Sequence, residues 1–223
     1  MTDLSIREPP KVLVPVAVLE GQTLPATLVD FLAPADVVVL GYHVLPEQTP
    51  TEQASMQFEE RAQAAVDDIA HAFEAAGRDV ETRVAFTHNR DQTVARVAAE
   101  VGATATLLPN PVGDVEDVLV AVRGAIDTDH FADLVATLVG PGGQRVTVWG
   151  VTPNGSAFDA EAEVAAARET LLDRGVDPDS ITTETSVSGR PVADIVERSA
   201  EFGVVIMGES EQGLSALLFG DES

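Results

Sequence analysis

Short runs of aliphatic residues alternate along the chain with longer segments whose apolar residues recur every three or four positions. The run Lys11–Val16 is apolar after its first residue, which is typical of a strand buried on both faces of a parallel sheet. The stretch Thr51–Ala76 carries an apolar stripe and stops just before Gly77, so it predicts an amphipathic helix. Strands that alternate with helices predict a parallel sheet with helices on both faces.

The same succession of strands and helices occurs twice. The pattern predicts strands in the first half at Lys11–Val16, Val37–Tyr42, Val80–Phe86 and Thr104–Leu108, with helices at Thr23–Leu32, Thr51–Ala76 and Asp91–Val101. It predicts strands in the second half at Val118–Val122, Arg145–Val151, Ile181–Val187 and Val204–Met207, with helices at Asp129–Val139, Ala160–Arg174 and Pro191–Glu201. We therefore predict an α/β protein of two similar halves, each a doubly wound parallel sheet.

The charge balance of the chain is strongly acidic. There are 37 Asp and Glu residues against 13 Lys and Arg residues, which gives a formal net charge of -24. The acids lie between apolar residues at helical spacing, so they indicate the surface of a folded protein rather than a disordered tail. Such a surface repels itself unless salt screens it, which predicts a halophilic protein from an acidic proteome. It also excludes nucleic acid as a partner, because no basic stripe is present.

Composition narrows the functional class further. Cysteine is absent, so disulfides and thiolate metal sites are excluded. Residues 1–10 are polar, and no apolar run approaches the roughly 18 residues of a membrane span, so we expect a cytoplasmic protein without membrane insertion. The four histidines lack the spacing of metal ligands, and no nucleophile, base and orienting residue form a recognisable set. We therefore expect no metal site, no catalytic residues and no enzymatic activity.

Two features resemble the universal stress protein family. In each half the second strand is followed by a proline two residues after a valine, in the segments Tyr42–Pro46 and Trp149–Pro153. In the second half, the strand Val204–Met207 enters a glycine-containing stretch that is similar to the phosphate loop of this family. The resemblance covers nearly the whole chain as two copies, residues 11–113 and 117–223. It implies a tandem stress-response protein with two Rossmann-like domains.

The candidate ligand-binding residues are Gly208, Gly213 and Gly220, which follow the last predicted strand. Glycines allow the backbone to approach a phosphate and to direct its N–H groups at it, and a helix N-terminus adds positive potential. Ligands of open α/β sheets bind outside the carboxyl ends of the strands, where this loop would lie. The resemblance thus implies ATP or another nucleotide as a ligand of the second half.

Several residues depart from the pattern of the nucleotide-binding members. Glu211 stands at the second loop glycine, and Asp221 follows Gly220 where these members carry Ser or Thr. The aspartate that ends their first strand is replaced by Ala17 in one half and by Arg123 in the other. Two added carboxylates oppose a triphosphate unless a divalent cation bridges them. We therefore expect a non-catalytic stress protein without a cofactor that binds a protein partner or small ligand, with a nucleotide-binding signalling module as the alternative.

The halves also differ from the family in extent. Pro109–Gly113 replaces the glycine loop of the first half, and the last helix and strand of the family are not predicted before Ser223. A duplicated fold predicts an intrachain pseudo-dimer, with a homodimer as the alternative. A regulatory domain associated with a membrane transporter is a third interpretation.

Ser186–Pro191 suits either an anion site or a tight turn into a helix. Trp149 is expected at the end of a strand near the cleft.

Overall fold

A computed structural model describes residues 4–108, 115–124, 128–209 and 213–217 of the chain. The chain forms two compact units, one of Lys11–Pro109 and one that joins Met1–Pro10 to Asn110–Ser223. The predicted α/β class is confirmed, because helices alternate with parallel strands in both units. The sequence pattern assigns residues 1–10 to neither half, and the structure places them in the second unit.

The sheet of the first unit has the strand order β3-β2-β1-β4, and all its neighbours are parallel. Its elements are β1 (Lys11–Ala17), α1 (Ala26–Leu32), β2 (Asp36–Val44), α2 (Thr51–Ala75), β3 (Glu81–Thr87), α3 (Arg90–Val101) and β4 (Ala105–Leu108). Helix α1 begins three residues later than predicted, because Pro25 disfavours a helical conformation at the residue before it. A short 3₁₀ turn, Val18–Glu20, fills the space after β1.

The sheet of the second unit has the order β9-β8-β5-β6-β7. Its elements are β5 (Asp117–Val122), α4 (Thr128–Val139), β6 (Arg145–Pro153), α5 (Ala160–Asp173), β7 (Ile181–Ser188), α6 (Pro191–Ser199), β8 (Val204–Glu209) and β9 (Gly213–Leu217). The prediction of no further strand after β8 is corrected, since β9 pairs with β8 in antiparallel orientation. Antiparallel neighbours need only a short connection, so no helix is required between them.

A glycine occupies the same position in the second strand of each sheet, where a helix crosses closely. A Cβ atom on Gly41 would overlap the side chain of Val66 in α2. A Cβ atom on Gly150 would lie 2.8 Å from both Ala160 Cβ and Val164 Cγ2 of α5. Real Cβ atoms do not approach other atoms so closely, so the packing of α2 and α5 on their sheets requires glycine.

The long helix α2 shows how the helices divide between core and surface. Its residues Ala62, Val66 and Phe73 are buried, whereas Glu59 and Glu60 are exposed. This is the one-sided apolar stripe that the sequence pattern predicts. Among the described residues, no helix is both long enough and apolar enough to cross a membrane.

Candidate functional site

A hydrogen-bonded corner ends the third strand of the first unit, at the edge where α/β folds place their ligands. The Thr87 hydroxyl oxygen accepts hydrogen bonds from the Asn89 amide at 2.9 Å and from the Thr93 hydroxyl at 2.8 Å. The same hydroxyl donates to the Asn89 carbonyl at 3.0 Å. All three bonding positions of the Thr87 hydroxyl are therefore used inside the corner, which fixes the entry into α3.

The second unit builds the same corner with different residues. The Ser188 hydroxyl oxygen accepts from the Arg190 amide at 2.8 Å, and the hydroxyl donates to the Asp194 carboxylate. The spacings of two and six residues are those of the first corner. Pro191 opens α6 at its first position. The Ser188 hydroxyl is bonded to the Arg190 amide and to Asp194, and the Ser186 hydroxyl accepts from Trp149, so the geometry supports the tight turn rather than the anion site.

Arg90 and Tyr42 meet beside the first corner, at the carboxyl ends of β2 and β3. The Arg90 guanidinium carbon lies 5.6 Å from the centre of the Tyr42 ring, a cation–π contact. Burial raises the pKa of the Tyr42 hydroxyl; Arg90 opposes this rise, and the carboxylates of Glu20 and Asp91 add to it. The hydroxyl thus stays protonated at neutral pH and can donate. Arg90 Nε is buried without a hydrogen-bond partner among the described residues.

His43, the next residue along β2, faces the opposite side of the sheet. Its ring lies edge-on to Phe58 and Phe86, with centroid separations of 6.3 and 6.4 Å. Its Nδ1 atom is buried and has no hydrogen-bond partner within the described structure. The contacts are those of a packing residue, in keeping with the ordinary role that the histidine spacing predicts.

Gln22 closes the carboxyl end of β1. Its side-chain oxygen accepts a hydrogen bond from the amide of Ala17, the residue that stands where the resemblance predicts an aspartate, at 2.8 Å. A cavity of about 220 Å³ opens beside it, lined mainly by apolar side chains that include Val18, Leu24 and Ile69. Typical ligand pockets measure about 300 Å³ or more, so this cavity fits only a small molecule or part of one.

The structure brings two of the three predicted phosphate-loop glycines to one hairpin. Gly208 in β8 pairs with Leu214, and Gly213 opens β9 opposite Glu209. Gly220 lies outside the described residues. In an antiparallel ladder, backbone amides alternate between the neighbouring strand and the outside. This arrangement differs from a loop that turns several consecutive N–H groups toward one phosphate.

Trp149 lies in the middle of β6 and not at its end, which corrects the expected position near the cleft. It is only 6% exposed, and its indole N–H donates to the Ser186 hydroxyl at 3.1 Å. The Arg198 guanidinium carbon lies 4.7 Å from the indole centre, and Arg198 pairs with Glu184 at 2.5 Å. Trp149 therefore reports on the packing of α6 rather than on the carboxyl edge.

Replacing Arg198 with alanine should shift the emission of Trp149 to longer wavelength, because the guanidinium that covers the indole face is lost. The expected destabilisation is about 0.5–1 kcal/mol, the usual worth of a partly exposed cation–π pair. The matched control is Arg145→Ala, since exposed Arg145 pairs with half-buried Asp117 in the same unit. Fluorescence spectra that coincide for wild type and the Arg198 variant would show that the contact is not formed in solution.

Neither arginine–aromatic pair was evident from the sequence. The position of Arg90 gave an indication, because a basic residue at the first position of a helix interacts unfavourably with the helix dipole. Such a residue is expected to make a stabilising contact elsewhere. For Arg198 no signal existed, since a basic residue in the last turn of a helix is favourable by itself. Only the fold places its guanidinium over Trp149.

The fold is that of a solved universal stress protein from Archaeoglobus fulgidus DSM 4304, with a TM-score of 0.53 and 12% sequence identity. The alignment covers 93% of this chain and 97% of that chain, so both units take part. A lactate dehydrogenase from Eimeria maxima aligns with a TM-score of 0.24 and 11% identity over 80% of this chain and 44% of that chain, too weak a likeness to support any conclusion. The sequence matches no protein-family profile and no curated protein.

Proposed function

We propose that this chain is a tandem universal stress protein that binds a partner or a small ligand in a stress response and carries out no catalysis. The observation that carries the proposal is the chemistry of the carboxyl edges. The hydroxyls of Thr87 and Ser188 are used within their corners, so neither is poised as a nucleophile. Arg90 Nε, in contrast, is a donor that finds no acceptor among the described residues.

The first unit provides the more favourable binding position. Tyr42 and Arg90 offer an O–H and an N–H donor at the carboxyl ends of adjacent strands. Two donors of this kind suit a small molecule with acceptor oxygens, such as a carboxylate or a phosphate group. The neighbouring carboxylates of Glu20 and Asp91 disfavour a highly charged anion. A small ligand with one acidic group fits these conditions better than a triphosphate.

A nucleotide-binding signalling module that uses Gly208, Gly213 and Gly220 stays a prediction, as does a domain associated with a transporter. The test is ATP hydrolysis by the purified protein in molar KCl, with Gly208→Val as the variant. The proposal expects no turnover above the buffer rate. If the wild-type protein hydrolysed ATP and Gly208→Val abolished this activity, the proposal of a non-catalytic protein would be overturned. The nucleotide-binding hypothesis would replace it.

We also infer an adaptation to high salt, because the net charge of -24 must be accommodated on a folded surface. The screening length falls from about 10 Å at 0.1 M salt to about 3 Å at 1 M, which weakens repulsion between neighbouring carboxylates. The melting temperature should therefore rise steadily with KCl over this range. An uncharged osmolyte such as sucrose is the control for preferential exclusion. A melting temperature that sucrose raises and KCl does not would contradict the inference.

A further inference from the structure

The N-terminal segment, residues 4–8, docks on a buried ion pair of the second unit. Asp133 in α4 and Arg174 at the end of α5 are each 2% exposed, and Arg174 Nε lies 2.5 Å from Asp133 Oδ1. The Arg7 amide donates to Asp133 Oδ1 at 3.3 Å, and the Glu8 amide donates to Asp133 Oδ2 at 3.0 Å. One buried carboxylate thus holds two consecutive backbone amides of the segment.

Side chains add recognition on either side of this carboxylate. The Arg7 guanidinium pairs with Asp129 at 2.9 Å, and the same Asp129 oxygen accepts from Arg174 at 2.8 Å. At the other end of the segment, the Leu4 methyl groups lie 2.9 Å from where a Cβ atom of Gly140 would be. We call the surface formed by Asp129, Asp133, Gly140 and Arg174 the groove. It accepts an apolar residue followed three positions later by a basic one.

The groove needs an occupant for an energetic reason. A buried carboxylate has about four acceptor positions, and Arg174 alone does not fill them. An uncompensated buried charge is costly, so the amides of Arg7 and Glu8 stabilise Asp133 as much as Asp133 fixes the segment. Pro9 and Pro10 follow at once and stiffen the connection to the rest of the chain. The arrangement is that of an extended peptide bound in a charged groove.

We propose that this groove is a peptide-docking site that accepts the N-terminal segment of a second copy of the chain in place of its own. The same sequence makes the same contacts, so an exchange between copies preserves every hydrogen bond and ion pair described above. Short, stiff connections such as Pro9–Pro10 favour exchange of this kind. Two copies of charge -24 repel each other, so exchange requires the screening of high salt.

The first test measures docking with a labelled synthetic peptide of residues 1–10 by fluorescence anisotropy in molar KCl. In the full-length Leu4→Asp/Arg7→Glu variant the chain's own segment is weakened, so the peptide should bind roughly a hundredfold more tightly than to wild type, where the tethered segment competes. Adding Asp129→Asn to that variant, which leaves Asp133 and Arg174 in place, should weaken binding, and an Arg7→Glu peptide should bind poorly. No saturable binding to a variant that melts cooperatively would overturn the docking site.

The second test measures exchange between copies by sedimentation of the full-length wild-type protein in molar KCl. A dimer fraction is expected that grows with protein concentration and that excess peptide of residues 1–10 converts to monomer. A monomer at every concentration would overturn the exchange between copies. A dimer that the peptide leaves intact would overturn it as well, because the contact would then lie elsewhere.

Discussion

Replacing Arg174 with leucine is expected to lower the free energy of unfolding of the second unit by about 3–5 kcal/mol. The reason is that Asp133 would remain buried with its charge and without its closest partner, which lies 2.5 Å away. Removal of one member of a buried ion pair leaves an uncompensated charge, which costs far more than the net worth of the pair. Urea denaturation in molar KCl, followed by the emission of Trp149 in the same unit, measures the loss.

The exposed ion pair between Arg145 and Asp117 provides the matched control. Both groups are accessible to water, and the arginine is 64% exposed, so solvent screens the pair and Arg145→Leu should have a much smaller effect. Equal losses for Arg174→Leu and Arg145→Leu would contradict the account. They would mean that the buried pair is open to water in solution.

The same pair should respond to acid. Burial by itself would raise the pKa of Asp133, but hydrogen bonds from the Arg174 side chain and from the Glu8 and Arg7 amides outweigh it and hold that pKa below its ordinary value of 3.8. A lowered pKa in the folded state contributes stability above 3.8, and this contribution is lost as the pH falls through the folded value. Wild type should therefore lose stability below this pH more steeply than Asp133→Asn. Parallel pH profiles would contradict this expectation.

The second large effect is expected at Gly150. An alanine there would place its Cβ 2.8 Å from Ala160 Cβ and 2.9 Å from the Ala160 carbonyl oxygen, and a backbone atom cannot move aside as a side-chain end can. Overpacking of this kind costs about 1–3 kcal/mol, because α5 must shift on the sheet. The measurement is again the free energy of unfolding in urea. Gly150→Ala adds only one methyl group, so its effect on stability directly tests how closely α5 packs on β6.

Gly124→Ala is the control for Gly150→Ala, because a Cβ on Gly124 would meet no atom within 4 Å and its φ does not demand glycine. This variant should be as stable as wild type or slightly more stable, since alanine reduces the freedom of the unfolded chain. If Gly150→Ala were equally harmless, α5 would not pack on β6 as the structure has it.

Most of the strands could be predicted from the sequence, because a strand buried on both faces must be aliphatic along its whole length. Val118–Val122 shows this pattern without interruption, and Val12–Val16 departs from it only at Pro15. Strand β9 could not be predicted this way, since Gly213–Leu217 is short and begins with a glycine in a stretch that resembles a phosphate loop. Its pairing with β8 depends on a reversal of the chain rather than on any periodicity.

Several of the features that the sequence did not reveal join residues that are distant along the chain. The contact of Arg7 with Asp133 spans 126 positions. Neither a polar N-terminus nor a single aspartate in a helix predicts such a contact. The sequence predicts for Arg174 only an ordinary basic residue at the end of a helix, where cations are favoured. The corners at Thr87 and Ser188 are local, but a hydroxyl at a strand end is too common to identify them without the structure.

The melting temperature with and without inorganic phosphate, at a fixed KCl concentration, tests whether Arg90 and Tyr42 form a ligand-binding site. A ligand that binds only the folded state raises this temperature by mass action, and about 10 mM of a weak ligand is sufficient to detect it. We expect the melting temperature to rise for wild type and for Arg96→Gln, which changes an exposed arginine of the same helix, and not for Arg90→Gln. Equal responses of all three proteins, or none in wild type, would contradict this expectation.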